Sequence, residues 1–359
     1  MNFEKSLSAY RAIIDSRIAD LFDEKILASR DFIRFSYARL KDFVLRGGKR
    51  LRPVMTIMAF KAVSDRPEEE ILLPAVGIEL FHNSSLIHDD IMDEDSRRRG
   101  RLSMHTRFER FFLKGHADRE DAGRMFQKMS ERFGVSIAIL MGDILYAMTE
   151  GCLIDSPFAA GRIRRAMEVL HRAYREISEG QMLDILSELD GDLAEGDVLR
   201  LIELKTARLF AAAIQIGAIL GGAPVPTRNA LSAYALDLGM AFQLQDDLLD
   251  IGPGRKGRMY GSDLRRGKST LLTLKALETA SPGQARILRS ALGNGRADRG
   301  TIEAAVGVLH ATGAVDCVKK LAVQKLGEGQ AHLRDQALSP EAGKFFDGLA
   351  DFMARRRMP

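Results

Sequence analysis

The strongest constraint on this chain is its rhythm. Apolar residues recur every three or four positions in segment after segment, the spacing of helices that each bury one face. The segments are Leu7–Leu27, Phe32–Leu45, Val54–Val63, Ile71–Ile91, Val135–Leu153, Ile163–Leu189, Val198–Leu220, Leu231–Ile251 and Leu271–Thr279. Helix stops fall between them: Gly47-Gly48, Gly191, Gly221-Gly222 followed by Pro224 and Pro226, and Gly252-Pro253-Gly254. No alternating β-branched run sits between turn signals, and no fixed internal period repeats. The pattern predicts an all-α protein. No Pro- or Ser-rich linker divides it, so a single domain over residues 1–359 is expected, with loops at Lys114–Glu131 and Gly252–Lys268.

Composition narrows the class. Lys and Arg (53) outnumber Asp and Glu (49) by only four, too small a surplus for a dedicated nucleic-acid binder. Cys152 and Cys317 are the only cysteines, which argues for a fold without a disulfide framework in a reducing compartment. The first twenty residues mix charges with apolar residues and lack the apolar core of a secretory signal. The longest apolar run, Leu209–Val225, contains Gln215 and reaches Pro224, and it falls short of the roughly 20 residues of a membrane span. It reads as a buried helix. A cytoplasmic protein without a transmembrane segment is expected.

The chemistry lies in two acidic clusters. The first is His82-Asn83-Ser84-Ser85-Leu86-Ile87-His88-Asp89-Asp90-Ile91-Met92-Asp93, followed by Arg97-Arg98-Arg99-Gly100. On a helix Asp89 and Asp93 lie one turn apart on one face, with His82 two turns before Asp89 on that stripe. Like charges at this spacing repel, so a cation should offset them. Mg²⁺ suits: it takes one or two carboxylates plus substrate phosphates. A solvated acidic helix end would also explain this cluster taken alone. The second, Phe242-Gln243-Leu244-Gln245-Asp246-Asp247-Leu248-Leu249-Asp250, repeats D-D-x-x-D among leucines, where an unpaired carboxylate is costly to desolvate. Solvation fails as its explanation. Two such clusters facing one another across a cleft would hold divalent ions and a polyanion between them.

A polyphosphate also needs cationic partners. Lys49, Arg50 and Arg52 follow the Gly47-Gly48 turn, Arg98 and Arg99 follow the first cluster, and Lys205-Thr206, Arg258 and Lys268 lie around the second. Singly these are ordinary surface residues. Together with the acidic clusters they describe two anion pockets, one metal-bridged and one metal-free.

In this arrangement the chain resembles the trans-isoprenyl diphosphate synthases. The shared segments, in family order, are GGKRLRP, HNSSLIHDDIMD with its following RRG, MGD at Met141–Asp143, GQMLD at Gly180–Asp184, LKTARLF, FQLQDDLLD and GSDLRRGKSTLL. The resemblance implies an isoprenoid-synthase helical bundle around a central cavity, usually a homodimer. It implies that Asp89, Asp93 and Asp246 ligate Mg²⁺, two or three ions per site with Mn²⁺ as a substitute, and that Asp90, Asp247 and Asp250 are ligands or their supports. It assigns Arg98, Lys205, Thr206, Gln243 and Lys268 to the allylic diphosphate and Lys49, Arg52, His82 and Arg99 to isopentenyl diphosphate. Gln181 and Asp184 match polar residues on a cavity helix. Arg258 stands where many members carry lysine, and a planar fork replaces a compact ammonium. The Lys114–Glu131 stretch is longer than the usual connection.

The implied reaction is ionisation of the allylic diphosphate, attack by the isopentenyl double bond, and loss of a proton. Ser85, Ser84 and Phe81 stand four, five and eight positions before Asp89, one helical turn rising about 5.4 Å. Short-chain members carry a bulky aromatic at one of the first two positions. Two serines there predict a product longer than farnesyl, geranylgeranyl diphosphate foremost, with Phe81 or a residue of another helix as the stop; a longer-chain polyprenyl or a farnesyl diphosphate synthase is the alternative within the family. A class I terpene cyclase normally has a different second motif and an aromatic pocket, whereas this chain has no Trp. A His-Asp phosphohydrolase leaves the second cluster unused, and a non-catalytic subunit has no use for the full set of carboxylates and clamps.

Overall fold

The computed structural model describes residues 3–116, 125–189, 193–252 and 260–355. Arg258, and residues 117–124 of the polar stretch, lie outside the described residues. Sixteen α-helices carry the described residues, an all-α chain as the periodicity predicts, although the nine apolar segments announced only part of them. They pack into two compact units: Phe3–Met58 with Asp65–Met167, and Ala59–Ser64 with the described residues from Glu168 onward.

The amino-terminal unit contains α1 (Phe3–Ala28), α2 (Asp31–Leu45), most of α3 (Leu51–Lys61), α4 (Glu69–Met92), α5 (Met104–His116), α6 (Met129–Ile154) and the start of α7 (Ala160–Leu189). Its centre is α4 against α6. Ile71, Ala75, Ile78 and Phe81 of α4 are wholly buried, each large side chain contributing about 1.5–3 kcal/mol. Thr149 Oγ1 of α6 donates to the Gly77 carbonyl at 3.0 Å and so ties the two helices together.

A hairpin leaves α4: β1 (Arg97–Arg98) pairs antiparallel with β2 (Arg101–Leu102) across Arg99-Gly100, both at positive φ as a tight two-residue turn demands. Two-residue strands carry too little sequence to show alternation. The stretch read as a loop from Lys114 in fact begins inside α5 and ends inside α6.

The carboxy-terminal unit holds the rest of α7, then α8 (Glu195–Ile202), a π turn (Glu203–Ala207), α9 (Arg208–Gly221), α10 (Val225–Asp250), α11 (Ser262–Arg266), α12 (Leu271–Thr279), α13 (Pro282–Ala291), α14 (Arg299–Ala311), α15 (Ala314–Leu333) and α16 (Pro340–Ala354). Leu244 and Leu248 of α10 pack with Val318 and Ala322 of α15 in its core. The side chains of Ser281, Asp298 and Ser339 cap α13, α14 and α16, each cap contributing about 1 kcal/mol.

Among the described residues two helical runs are long and apolar enough to cross a membrane, or three if the bent pair α14–α15 counts as one span. The two are α6, with 39% of its apolar window buried, and the run Glu195–Gly221, with 78% buried.

Candidate active site

In the amino-terminal unit the last turn of α4 presents the first carboxylates. Asp90 is fully buried and Asp89 partly exposed. Arg98, swung back by the hairpin, donates Nε to Asp90 Oδ1 at 2.5 Å and Nη2 to Asp89 Oδ2 at 3.1 Å. Asp90 Oδ2 is buried without a hydrogen-bond partner among the described residues. Burial pushes its carboxyl up to about 7 despite the pull of Arg98, and Asp89 and Asp95 add to the rise. Asp93 caps α4, its amide donating to the Asp89 carbonyl at 2.8 Å.

The Gly47–Arg52 turn and the hairpin build one cationic pocket. Arg99 Nη1 donates to the Gly47 carbonyl at 2.6 Å, and a Cβ on Gly48 would stand 3.3 Å from Arg99 Nη2. Gly48 also has φ +121°, so only glycine satisfies both demands. Arg52 Nη1 lies 3.3 Å from His82 Nε2. Burial lowers Arg52 to about 10, and burial together with Arg52, Arg99, Arg98 and Arg50 drives His82 well below its ordinary range. His82 is a neutral imidazole; accepting from Arg52 at Nε2, it carries its proton on Nδ1. Lys49 is exposed on the same turn.

The three residues expected to govern product length lie on α4. Phe81 is fully buried, with its ring edge-on to Tyr146 of α6 at 5.8 Å. The buried Ser84 donates to the Gly142 carbonyl of α6 at 2.8 Å. Ser85 donates to the His82 carbonyl of its own helix at 2.8 Å and is partly exposed.

In the carboxy-terminal unit α10 ends in the second set. Asp247 and Asp250 are buried, while Asp246 is partly exposed. Gln243 Nε2 donates to Asp247 Oδ1 at 2.8 Å, and its Oε1 accepts from Thr206 Oγ1 at 2.9 Å. Asp250 accepts from Ser262 Oγ at 2.5 Å and from the Asp263 amide at 2.9 Å. Burial, reinforced by Asp263, raises Asp247 well above the usual carboxylate range.

The lysines of this unit sit on another carboxylate. Lys205 donates to Asp184 of α7, and Lys268 Nζ is 3.6 Å from the same oxygen. Lys205 and Thr206 lie in the π turn, which two glycines admit. A Cβ on Gly180 of α7 would stand 2.7 Å from the Lys205 amide nitrogen, and one on Gly239 of α10 would stand 2.6 Å from Ala207 Cα.

Among the described residues no three histidine, cysteine or carboxylate side chains form a ready-made ion site. The hard oxygens of Asp89 and Asp90, one of them orphaned, instead fit an ion that completes its shell with water and phosphate. Glu79 and Asp15, which support the cationic pocket, escaped the sequence reading. A glutamate within the apolar stretch of α4, three residues before His82, was the one local signal.

Comparison with known proteins agrees with this chemistry. The polyprenyl synthetase family pattern matches residues 35–309. The chain belongs to the polyprenyl synthetase family. This synthetase is 36% identical over 322 residues to the geranylgeranyl diphosphate synthase of Methanosarcina mazei, covering 89% of each chain. It is 31% identical over 292 residues to the octaprenyl diphosphate synthase of Escherichia coli, covering 80% of each. Its fold matches the crystal structure of geranylgeranyl pyrophosphate synthase from Corynebacterium glutamicum, complexed with isoprenyl diphosphate and magnesium. The TM-score is 0.88 at 30% identity, covering 99% of this chain and 100% of that one. The synthetase is therefore a prenyltransferase with the all-α fold of its relatives.

Proposed function

We propose that this synthetase joins isopentenyl diphosphate to dimethylallyl, geranyl or farnesyl diphosphate and releases geranylgeranyl diphosphate. The observation that carries the reading is that each unit sets cations on its carboxylates that a diphosphate can take over: Arg98 on Asp89 and Asp90 of the first D-D-x-x-D, and Lys205 and Lys268 on Asp184 in the unit that carries the second. A second, purely cationic pocket of Lys49, Arg52 and Arg99 around neutral His82 suits a diphosphate that does not ionise.

Asp89 and Asp93, with Asp90 behind them, and Asp246 with Asp247 and Asp250 would hold Mg²⁺, two or three ions in all. Bound there, the metal neutralises charge as it develops on the departing pyrophosphate. Arg98, Lys205, Thr206, Gln243 and Lys268 orient the allylic diphosphate and stabilise the same charge, with Arg258 as a further clamp. Lys49, Arg52, His82 and Arg99 hold isopentenyl diphosphate with its double bond toward the allylic carbon. The allylic carbon–oxygen bond breaks first, leaving pyrophosphate and an allylic cation, and the isopentenyl double bond then attacks that cation. The proton shed from the isopentenyl unit passes to the released pyrophosphate, so no protein base is required.

Ser84 and Ser85 put no aromatic ring in the way of a chain longer than farnesyl. Phe81, backed by Tyr146, is the proposed stop, and the Methanosarcina mazei relative supports a geranylgeranyl product. The apolar and largely uncovered α6 supports a homodimer, its face covered by a second copy instead of lipid, in a cytoplasmic protein. Purified protein with Mg²⁺, isopentenyl diphosphate and each primer should yield geranylgeranyl diphosphate and pyrophosphate by chromatography. Hydrocarbon release, or phosphate release without elongation, would overturn the reading.

A further inference from the structure

The cationic pocket of the amino-terminal unit rests on a buried ion-pair relay. Arg50 exposes none of its side chain. Its Nε donates to Asp15 Oδ1 at 2.7 Å, Nη1 to Glu79 Oε1 at 2.5 Å, and Nη2 to the Val44 carbonyl at 2.8 Å. Glu79, 3% exposed, also accepts at that same Oε1 from Asn83, whose Nδ2 donates to it at 3.0 Å and to the Glu79 carbonyl at 2.8 Å. Every donor group of the guanidinium is turned inward, so Arg50 is no ligand for a substrate. Yet it stands between Lys49 and Arg52 on the turn that forms the pocket.

Two features point to a purpose beyond packing. Arg50 has φ +53°, a left-handed conformation that residues with a side chain rarely adopt, and it follows Gly47 and Gly48 at positive φ. Strain of this kind persists only where its surroundings over-determine it, and here the surroundings are three hydrogen bonds to one side chain. Second, a buried ion pair contributes little to stability compared with well-packed apolar residues, so its presence under a pocket calls for another role. Glu79 supplies one. It is the main attractive charge felt by both Arg52 and Arg99, against the desolvation that depresses them. Desolvation also weighs on Arg50, and Glu79 with Asp15 holds it above its ordinary value.

We propose that Asp15, Arg50 and Glu79 form a positioning relay that locks the Gly47–Arg52 turn in its strained shape, so that Lys49 and Arg52 meet the isopentenyl diphosphate. Helix α1 is its outer anchor, although Asp15 lies ahead of the residues 35–309 that match the family. The inference rests on the assignment of that pocket made under the proposed function. None of the three residues touches substrate, and their effect runs through the turn.

Arg50→Lys keeps the charge and loses the fork. Asp15→Asn keeps an acceptor at the partly exposed end, 31% exposed, where folding is least at risk. KM for each substrate, kcat, the thermal melt, and calorimetric binding of isopentenyl diphosphate in EDTA are measured for both. Arg50→Lys should raise KM for isopentenyl diphosphate about tenfold and weaken its EDTA binding alike, with the allylic KM within about twofold. Asp15→Asn should move the same constant about threefold with the melt unchanged. A merely structural role would shift both KM values together or lower kcat alone, and either result overturns the relay, as does unchanged binding in EDTA. Should Arg50→Lys fail to fold, Asp15→Asn decides. Wild-type protein that binds isopentenyl diphosphate in EDTA, loses that binding in the variants and elongates no primer sinks the proposed activity and leaves the relay standing. Wild-type protein that does not bind it in EDTA overturns the relay.

Discussion

The two D-D-x-x-D ends carry the same letters and are neutralised in different ways. At the end of α4 a guanidinium does it: Arg98 lies across Asp89 and Asp90 directly. At the end of α10 neutral donors reach two of the aspartates, Gln243 on Asp247 and Ser262 plus the Asp263 amide on Asp250. Lys205 and Lys268 of that unit lie on Asp184 of α7. The motif therefore fixes carboxylate spacing and leaves charge compensation to whatever the fold brings alongside. Burial raises Asp90 on one side and Asp247 on the other, so both ends keep a carboxyl inclined to hold a proton until a cation arrives.

The sharpest way to break this comparison is to remove one carboxylate from each end. Asp89→Ala and Asp246→Ala should each lower turnover about 10³-fold or more with the thermal melt near wild type. Turnover near wild type in either variant would show that end to be dispensable.

Gly180→Ala strikes only the second arrangement, because its Cβ meets the backbone under Lys205. A destabilisation of about 1–3 kcal/mol is expected in a denaturation curve, with a higher allylic KM. Gly151→Ala on α6, where a Cβ meets nothing within 4 Å, should change stability by less than about 1 kcal/mol in the opposite direction.

Asp184→Asn frees both lysines from their carboxylate at once. The allylic KM should change about tenfold while that for isopentenyl diphosphate stays put. Equal shifts in both would mean that Asp184 supports the whole fold and not the lysines.

A further test is a pH dependence. Asp90 sits at about 7, above its unfolded value of 3.8, so the native state binds the extra proton and metal-free stability falls as pH rises from about 4 to 7. Metal needs the same oxygen deprotonated, so apparent Mg²⁺ affinity should climb by up to about tenfold per pH unit below 7 and level off above it. Asp90→Asn should flatten that slope in a metal titration followed by turnover.

Much of this was legible in the sequence. The long helices α1, α4, α7 and α10 follow from unbroken three- and four-residue spacing, and the second acidic end sits just ahead of the Gly252-Pro253-Gly254 stop. Three things were not. Val198–Leu220 reads as one helix, yet a π turn interrupts it at Glu203–Ala207, because the register change depends on the approach of Gly180 and Gly239 from other helices. The helices α5, α11 and α13–α16 lie outside the nine apolar segments, α11 with only five residues in which to show a period. Asp15 and Glu79 stand 35 and 29 positions from Arg50, and no local pattern reveals a partner at that range.

Counting metal ions tests most directly the proposal that both carboxylate sets serve one allylic diphosphate. Mn²⁺ bound per chain is measured by paramagnetic resonance with and without an unreactive thiolo analogue of the allylic substrate. The account predicts two or three tight ions that appear only with the analogue, and fewer in Asp89→Ala and in Asp246→Ala alike. A full complement retained in either variant would contradict it.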